Sequence, residues 1–108
     1  MKETFGEYIR MLRNRKDYTL TQLGAKLGID SGALSKIETN RRVLREKYLP
    51  KLAEIFDLDL KELTDEYYSE HFAKVMYKQQ CSVNTLTLAE EKLKYIKNKN
   101  TKQSNLKF

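Results

Sequence analysis

Between Tyr18 and Asn40 the chain spells two short amphipathic helices with almost no linker, and that compression constrains its fold more than any other feature. Thr19 suits an N-cap, because its hydroxyl can accept from a free N–H of the first turn, and Gln22 three residues on completes a capping box. Leu23 and Leu27 then share one helix face. Gly28 stands where a helix end favours left-handed φ. Ile29 is apolar and plugs the turn. Asp30 is placed to cap the next helix, and its charge suits the positive helix end. Leu34 and Ile37 give that second helix an apolar side at a spacing of three. Its outer side is left with Ser31, Gly32, Ser35, Lys36 and Thr39, all small or polar apart from one cation. Asn40, Arg41 and Arg42 follow at once.

Length and composition agree with a small helical protein. The 108 residues fit one domain plus an extension, and a single Pro, four Gly and many Leu, Lys and Glu favour helix. No alternating strand pattern stands out. The charge is more telling in its layout than in its total of +6. Residues 1–54 carry twelve Lys or Arg against seven Asp or Glu, residues 55–72 carry one against six, and residues 73–108 carry eight against two. All six Arg lie before Glu46. Arginine's planar donor fork suits phosphate and guanine, so the first half is matched to a polyanion.

The same composition argues against other classes. No secretory leader or membrane-length apolar run is expected. Cys81 has no second cysteine to pair with and no partner at metal-ligand spacing, which suits a reducing cytoplasm. His71, the only histidine, lies among Tyr and Phe at helical spacing and reads as a packed or half-exposed helix residue. No nucleophile elbow, phosphate-cradling glycine loop or calcium-loop spacing is present, so no catalytic residue, metal or cofactor is expected.

Taken in order, Leu23, Gly28, Ile29, Leu34, Ser35, Ile37 and Glu38 resemble the motif of the lambda-repressor/Cro-like (XRE) helix-turn-helix family. The similarity runs from about Phe5 to Leu63. It includes Tyr48–Phe56 and Asp57-Leu58-Asp59, which look like the family's fourth helix and the start of its fifth. The resemblance implies an all-α fold, a five-helix lambda-repressor-like DNA-binding domain with a C-terminal helical extension. It also implies an ion pair between Arg13 and Glu38 that ties helix one to the end of the recognition helix. Three positions depart from the pattern. Leu20 replaces a Gln that helps hold a phosphate in many members. Gly24 stands where Ala is usual, at the crossing of the two helices, and costs about 1 kcal/mol of helix propensity relative to Ala. Asn40 replaces a Gly, a mild change because Asn tolerates left-handed φ.

The rest of the chain extends this plan. Phe5, Ile9 and Leu12 predict a first helix from Thr4 or Phe5 to Arg15, with Tyr8 beside the stripe. Residues 40–46 form an irregular basic loop, with Val43 or Leu44 turned inward. Leu49, Leu52, Ala53 and Phe56 line helix four, and Pro50 lies in its first turn, where the missing N–H does no harm. Asp59 and Glu62 form a capping-box pattern opening helix five. Tyr67, His71 and Val75, with either Tyr68, Phe72 and Met76 or their neighbours, carry a stripe onward to about Gln79, and a break is expected at residues 80–84. Leu86, Ala89 or Glu90, Leu93 and Ile96 give a last helix, Val83 to Lys97, an amphipathic seam. The expected organisation is a DNA-binding domain over residues 1–66, a helical extension over 67–97 for dimerisation or partner binding, and a flexible tail over 98–108.

On DNA, the helix from Ser31 to Thr39 is expected to enter the major groove. Ser31, Ser35 and Thr39 can donate or accept there, Gly32 permits close approach, and Lys36 suits guanine O6 or N7. Thr21 and Gln22 open the preceding helix, whose N–H groups can hold a phosphate. Asn40, Arg41 and Arg42 leave the recognition helix beside the other strand. The expected protein is thus a cytoplasmic, sequence-specific transcriptional regulator, a repressor and homodimer bound to double-stranded DNA, with no membrane partner. The competing expectation is an antitoxin or adaptor whose C-terminal helices bind a partner protein, or an extension that folds back on the head. Leu88–Ile96 also resembles the tail of XRE-type regulators found beside DNA methyltransferases, which would suit a restriction-modification controller.

Overall fold

Three side-chain caps set where the first three helices begin. The computed structural model describes residues 3–102, and side chains as far as residue 100. Helix α1, Phe5–Arg15, starts from Thr4, whose hydroxyl accepts from the Glu7 N–H at 3.1 Å while the Glu7 carboxylate accepts from the Thr4 N–H at 2.9 Å. This box sits in the plain Thr4–Glu7 spacing and was not among the sequence expectations. Helix α2, Leu20–Leu27, starts from the expected box, with Thr19 and Gln22 bonded reciprocally at 2.8 and 3.1 Å. Helix α3, Ser31–Glu38, is capped by the Asp30 carboxylate, which accepts from the N–H groups of Gly32 and Ala33.

A single 3-10 turn, Glu46–Tyr48, leads into α4, Leu49–Phe56, with Pro50 in its first turn as expected. Asp57 ends α4 in left-handed conformation at φ 53°. Helix α5 spans Leu60–Lys78, and α6 spans Asn84–Lys102. Asp59 caps α5 through the Lys61 N–H, which donates to its Oδ1 at 3.2 Å, one residue short of the Glu62 pairing that the expected box calls for. The described residues are therefore all helix and connection, six α-helices and one turn.

The core lies between α1, α2, α3, α4 and the start of α5. Ile9, Leu23, Leu34, Leu44 and Leu52 are its fully buried large side chains, joined by Phe5, Leu12, Leu27, Ile37, Leu49, Phe56 and Leu63. Burying one such side chain contributes about 1.5–3 kcal/mol. Helix α3 packs against both α1 and α2, and α2 also meets α4. This places the second motif helix with its apolar side fixed and its polar side free.

The chain forms two compact units, one ending at Phe72 and one starting at Ala73. The domain boundary expected after residue 66 falls inside the unbroken α5. The first unit extends beyond it because Tyr67 packs against the core, with its ring edge-on to Phe5 at 5.4 Å. In the second unit, α6 continues past the expected end at Lys97 to Lys102. No Gly or Pro interrupts residues 98–102, so nothing in the backbone stops the helix there. The remainder of the expected tail, residues 103–108, lies outside the described residues. Along α6, Leu86 and Leu93 stay 54% and 50% exposed. Lys94 pairs with Glu90 one turn away at 3.1 Å.

Candidate nucleic-acid interface

The turn between α2 and α3 is built by close approach of backbone. Gly28 adopts φ 80°, and the N–H groups of Gly28 and Ile29 both donate to the Gly24 carbonyl at 2.8 Å. A β-carbon on Gly24 would stand 2.5 Å from the Ile29 carbonyl oxygen, so the two helices cross as tightly as glycine permits. Ile29 packs half-buried against the core. Leu34 and Ile37 anchor α3 from below. Gly32, Lys36 and Thr39 are exposed on its outer side, with Ser31 and Ser35 half-buried at the margin.

An ion pair fixes the far end of α3. Arg13 Nε donates to Glu38 Oε2 at 2.8 Å and a second guanidinium nitrogen donates to Oε1 at 3.0 Å. The third donor, Arg13 Nη1, reaches the Tyr18 carbonyl at 2.9 Å. The two side chains are only 13% and 3% exposed, so the pair joins α1, the connection before α2 and the end of α3 out of reach of a duplex. The Glu38 hydrogen bond raises the Arg13 guanidinium above its ordinary pKa, against the opposing effect of burial. Arg13 therefore stays charged under all working conditions.

Beyond Glu38 the backbone turns through left-handed Asn40, φ 64°. The Thr39 hydroxyl donates to the Ser35 carbonyl at 2.9 Å and accepts from Arg41 Nε at 3.1 Å. That hydroxyl is thus occupied within the protein, and the bond orients the Arg41 guanidinium. Asn40, Arg41 and Arg42 are all exposed. Of the two inward candidates in the loop, Leu44 is buried at 2% exposure and Val43 is left 60% exposed. At the other margin, Thr21 and Gln22 are exposed in the first turn of α2, with the Gln22 side-chain carbonyl engaged in the Thr19 cap.

Two residues assigned by sequence to the extension belong to this site. The Tyr67 hydroxyl donates to the Leu44 carbonyl, and the Tyr68 hydroxyl donates to Glu46 Oε2 at 3.1 Å. Glu70 on the same helix accepts from the Phe5 N–H at 2.9 Å. The sequence signal for such a role is slight: a half-polar ring that packs must find a partner for its hydroxyl.

A concavity of about 370 Å³ is lined by Tyr8, Leu58, Leu63 and the carboxylates of Asp59, Glu62, Asp65 and Glu66. Burial raises the Tyr8 hydroxyl pKa, and Glu66, Glu3 and Glu62 add to the shift against Arg15. Its acidic rim is unsuited to a polyanion, and it is made by α1, α5 and the α4–α5 connection rather than by α3. Among the described residues no group of three or more His, Cys, Asp or Glu is placed to hold a metal ion, and no helix is long and apolar enough to cross a membrane.

Residues 9–63 match the Helix-turn-helix family. The chain is 30% identical to the HTH-type transcriptional repressor RghR of Bacillus subtilis (strain 168), over 87% of this chain and 80% of that protein. Among solved structures, the complex of SinR with SinI is similar over 91% of this chain and 99% of that one, at 25% identity and a TM-score of 0.50. The master regulator for biofilm formation SinR, crystallised with DNA, is 30% identical over 55% of this chain and 95% of that one, with a TM-score of 0.48.

Proposed function

The chain belongs to the Helix-turn-helix family, and from that premise we propose that it is a cytoplasmic, sequence-specific repressor that reads the major groove with α3 and assembles as a homodimer. The observation that carries the reading is the division of α3. Leu34, Ile37 and Glu38 are committed to the protein, and Gly32 and Lys36 are exposed. Lys36 is the base reader, donating to guanine O6 or N7, with Ser31 and Ser35 as adaptable partners. The first turn of α2 holds a phosphate at Thr21, next to Gln22, whose own N–H is already given to the Thr19 hydroxyl. Asn40, Arg41 and Arg42 hold the backbone of the other strand. Thr39 acts through Arg41, because its own hydroxyl is occupied. No catalytic step is assigned to any residue.

The reading is tested by fluorescence anisotropy with duplex DNA from upstream of the gene and with a shuffled duplex, across a salt series. Tight binding to the native duplex alone, persisting at physiological salt, is the expected result. Equal and steeply salt-sensitive binding to both would leave only phosphate attraction and remove the repressor reading.

The exposed Leu86, Leu88 and Leu93 of α6 support a role for the second unit in association. A two-fold dimer would place two recognition helices on successive half-sites. SinR is found in complex with SinI, which is consistent with the alternative of an adaptor that binds a partner protein through the exposed leucines of α6.

A further inference from the structure

We infer that Tyr67 and Tyr68 of α5 are positioning residues for DNA binding, holding the basic loop of residues 40–46 so that Arg41, Arg42 and Arg45 meet the phosphate backbone already ordered. The inference rests on the reading of that loop as a phosphate-contacting segment.

Three cations stand within five residues of one another from Arg41 to Arg45, and their mutual repulsion favours a spread, mobile loop. Its entry is fixed by the Arg41 N–H on the Lys36 carbonyl at 2.8 Å. Its middle has the buried Leu44 side chain, whose carbonyl receives the Tyr67 hydroxyl. Its exit has Glu46, whose carboxylate receives the Tyr68 hydroxyl at 3.1 Å. That second bond gives the loop's one carboxylate a partner on α5, beside Arg45. The two tyrosine rings meet edge-on at 5.1 Å, and Tyr67 is set edge-on to Phe5. The donors are therefore held by packing on α1 as well as by α5. Burial raises the Tyr67 pKa, and the Glu46 bond raises that of Tyr68, so both remain protonated donors at neutral pH. A loop ordered before contact loses less freedom on binding, which strengthens each phosphate contact without adding one.

The test compares Tyr67→Phe, Tyr68→Phe, Arg41→Ala and Arg42→Ala with the unaltered protein. Two readouts are taken: affinity for a random-sequence duplex across a salt series, and amide hydrogen exchange of residues 41–46 in the free protein. Tyr67→Phe keeps the ring against Phe5 and removes only the donor; Tyr68→Phe removes a more exposed hydroxyl and spares the core. Both are expected to weaken binding by about fivefold, the loss of one hydrogen bond. Both should speed exchange in the loop while exchange in α1 to α4 is unchanged. Arg41→Ala should flatten the salt slope by about 1 without altering loop exchange. Wild-type affinity and loop exchange in both tyrosine variants, with a flattened slope in Arg41→Ala, would overturn the positioning role and leave the loop reading standing. An unaltered slope in both arginine variants would overturn the loop reading, and this inference with it.

Discussion

Gly6 in α1 lies against the carbonyl of Ile37 in α3, so closely that a β-carbon on Gly6 would stand 2.1 Å from that oxygen. The contact sets how deeply the recognition helix sits in the domain, because Ile37 is in its last turn. Asn40 comes to the same place, with its side-chain oxygen 3.1 Å from the same β-carbon position. Glycine here is a requirement of backbone meeting backbone, which no side-chain rearrangement can relieve.

Gly6→Ala is accordingly expected to destabilise the protein. The clash is with main chain, so α1 must shift, at about 1–3 kcal/mol for an overpacked site, less the gain in helix propensity from Ala. Gly24→Ala faces the Ile29 carbonyl at 2.5 Å and should lose less. Thermal melts of the two variants settle the order; a Gly6→Ala protein as stable as wild type would mean that α1 is not seated as described.

The Arg13–Glu38 pair makes a second stability prediction. Removing one member leaves the other buried and charged without its partner, a loss of about 3 kcal/mol or more. Glu38→Ala should therefore lower the melting temperature clearly. If stability were unchanged and only DNA affinity fell, Glu38 would be a contact residue and not part of the frame.

Lys36 and Arg41 should separate on DNA. Lys36→Ala is expected to relax discrimination at one base position, by about 1–3 kcal/mol for a lost guanine contact. Arg41→Ala should weaken all sequences alike and reduce the salt slope by about 1. Thr39→Val, which removes the hydroxyl that orients Arg41, should resemble Arg41→Ala in kind. Binding to a panel of single-base operator variants distinguishes the two patterns, and indistinguishable profiles would end this division of labour.

The helix-turn-helix itself was legible because its signals are local. Thr19, Gly28 and Asp30 each act within one turn of the chain, and Leu23, Leu34 and Ile37 mark their faces by spacing alone. The start of α5 is legible in the cap at Asp59, and its end in the stripe that runs out near Gln79. What escaped is non-local. Gly6 is an ordinary helix residue until Ile37 is folded against it. Tyr67 and Tyr68 look like an extension stripe until Leu44 and Glu46, more than twenty residues earlier, arrive beside them. Thr39 is a local exception: its spacing shows an exposed face and not the bond its hydroxyl makes back to the Ser35 carbonyl. The end of α6 lies beyond the sequence expectation for a different reason: polar residues 98–102 lack an apolar stripe, yet they contain no breaker.

Acid sensitivity should be traceable in part to the first helix. The Thr4 N–H and hydroxyl bonds hold the Glu7 carboxyl below its ordinary pKa. A lowered folded value means the carboxylate favours the folded state above the ordinary glutamate pKa, and the benefit is lost as pH falls through the folded value. Glu7→Gln should therefore be less stable than wild type near neutral pH. The difference should close as the pH is lowered from about 6 to about 3. A gap that stays constant over that range would show that the charge of Glu7 contributes nothing to the cap.

Leu86 and Leu93 lie two turns apart on α6, and both are about half exposed within the single chain. Ile96 and Ala89 continue the same stripe, and the Lys94–Glu90 pair flanks it. A stripe of this spacing is stable in water when another helix covers it. If it pairs two copies, Leu86→Glu combined with Leu93→Glu should convert a dimer to a monomer in sedimentation. Because two half-sites no longer bind as a unit, affinity for a palindromic operator should fall by about 10²-fold or more, while a single half-site is bound as before. The variant should keep its helical content and its melting transition, since neither leucine contributes to the core of the first unit. A protein that sediments as a monomer before any substitution would exclude the dimer and direct attention to a different protein as the occupant of α6.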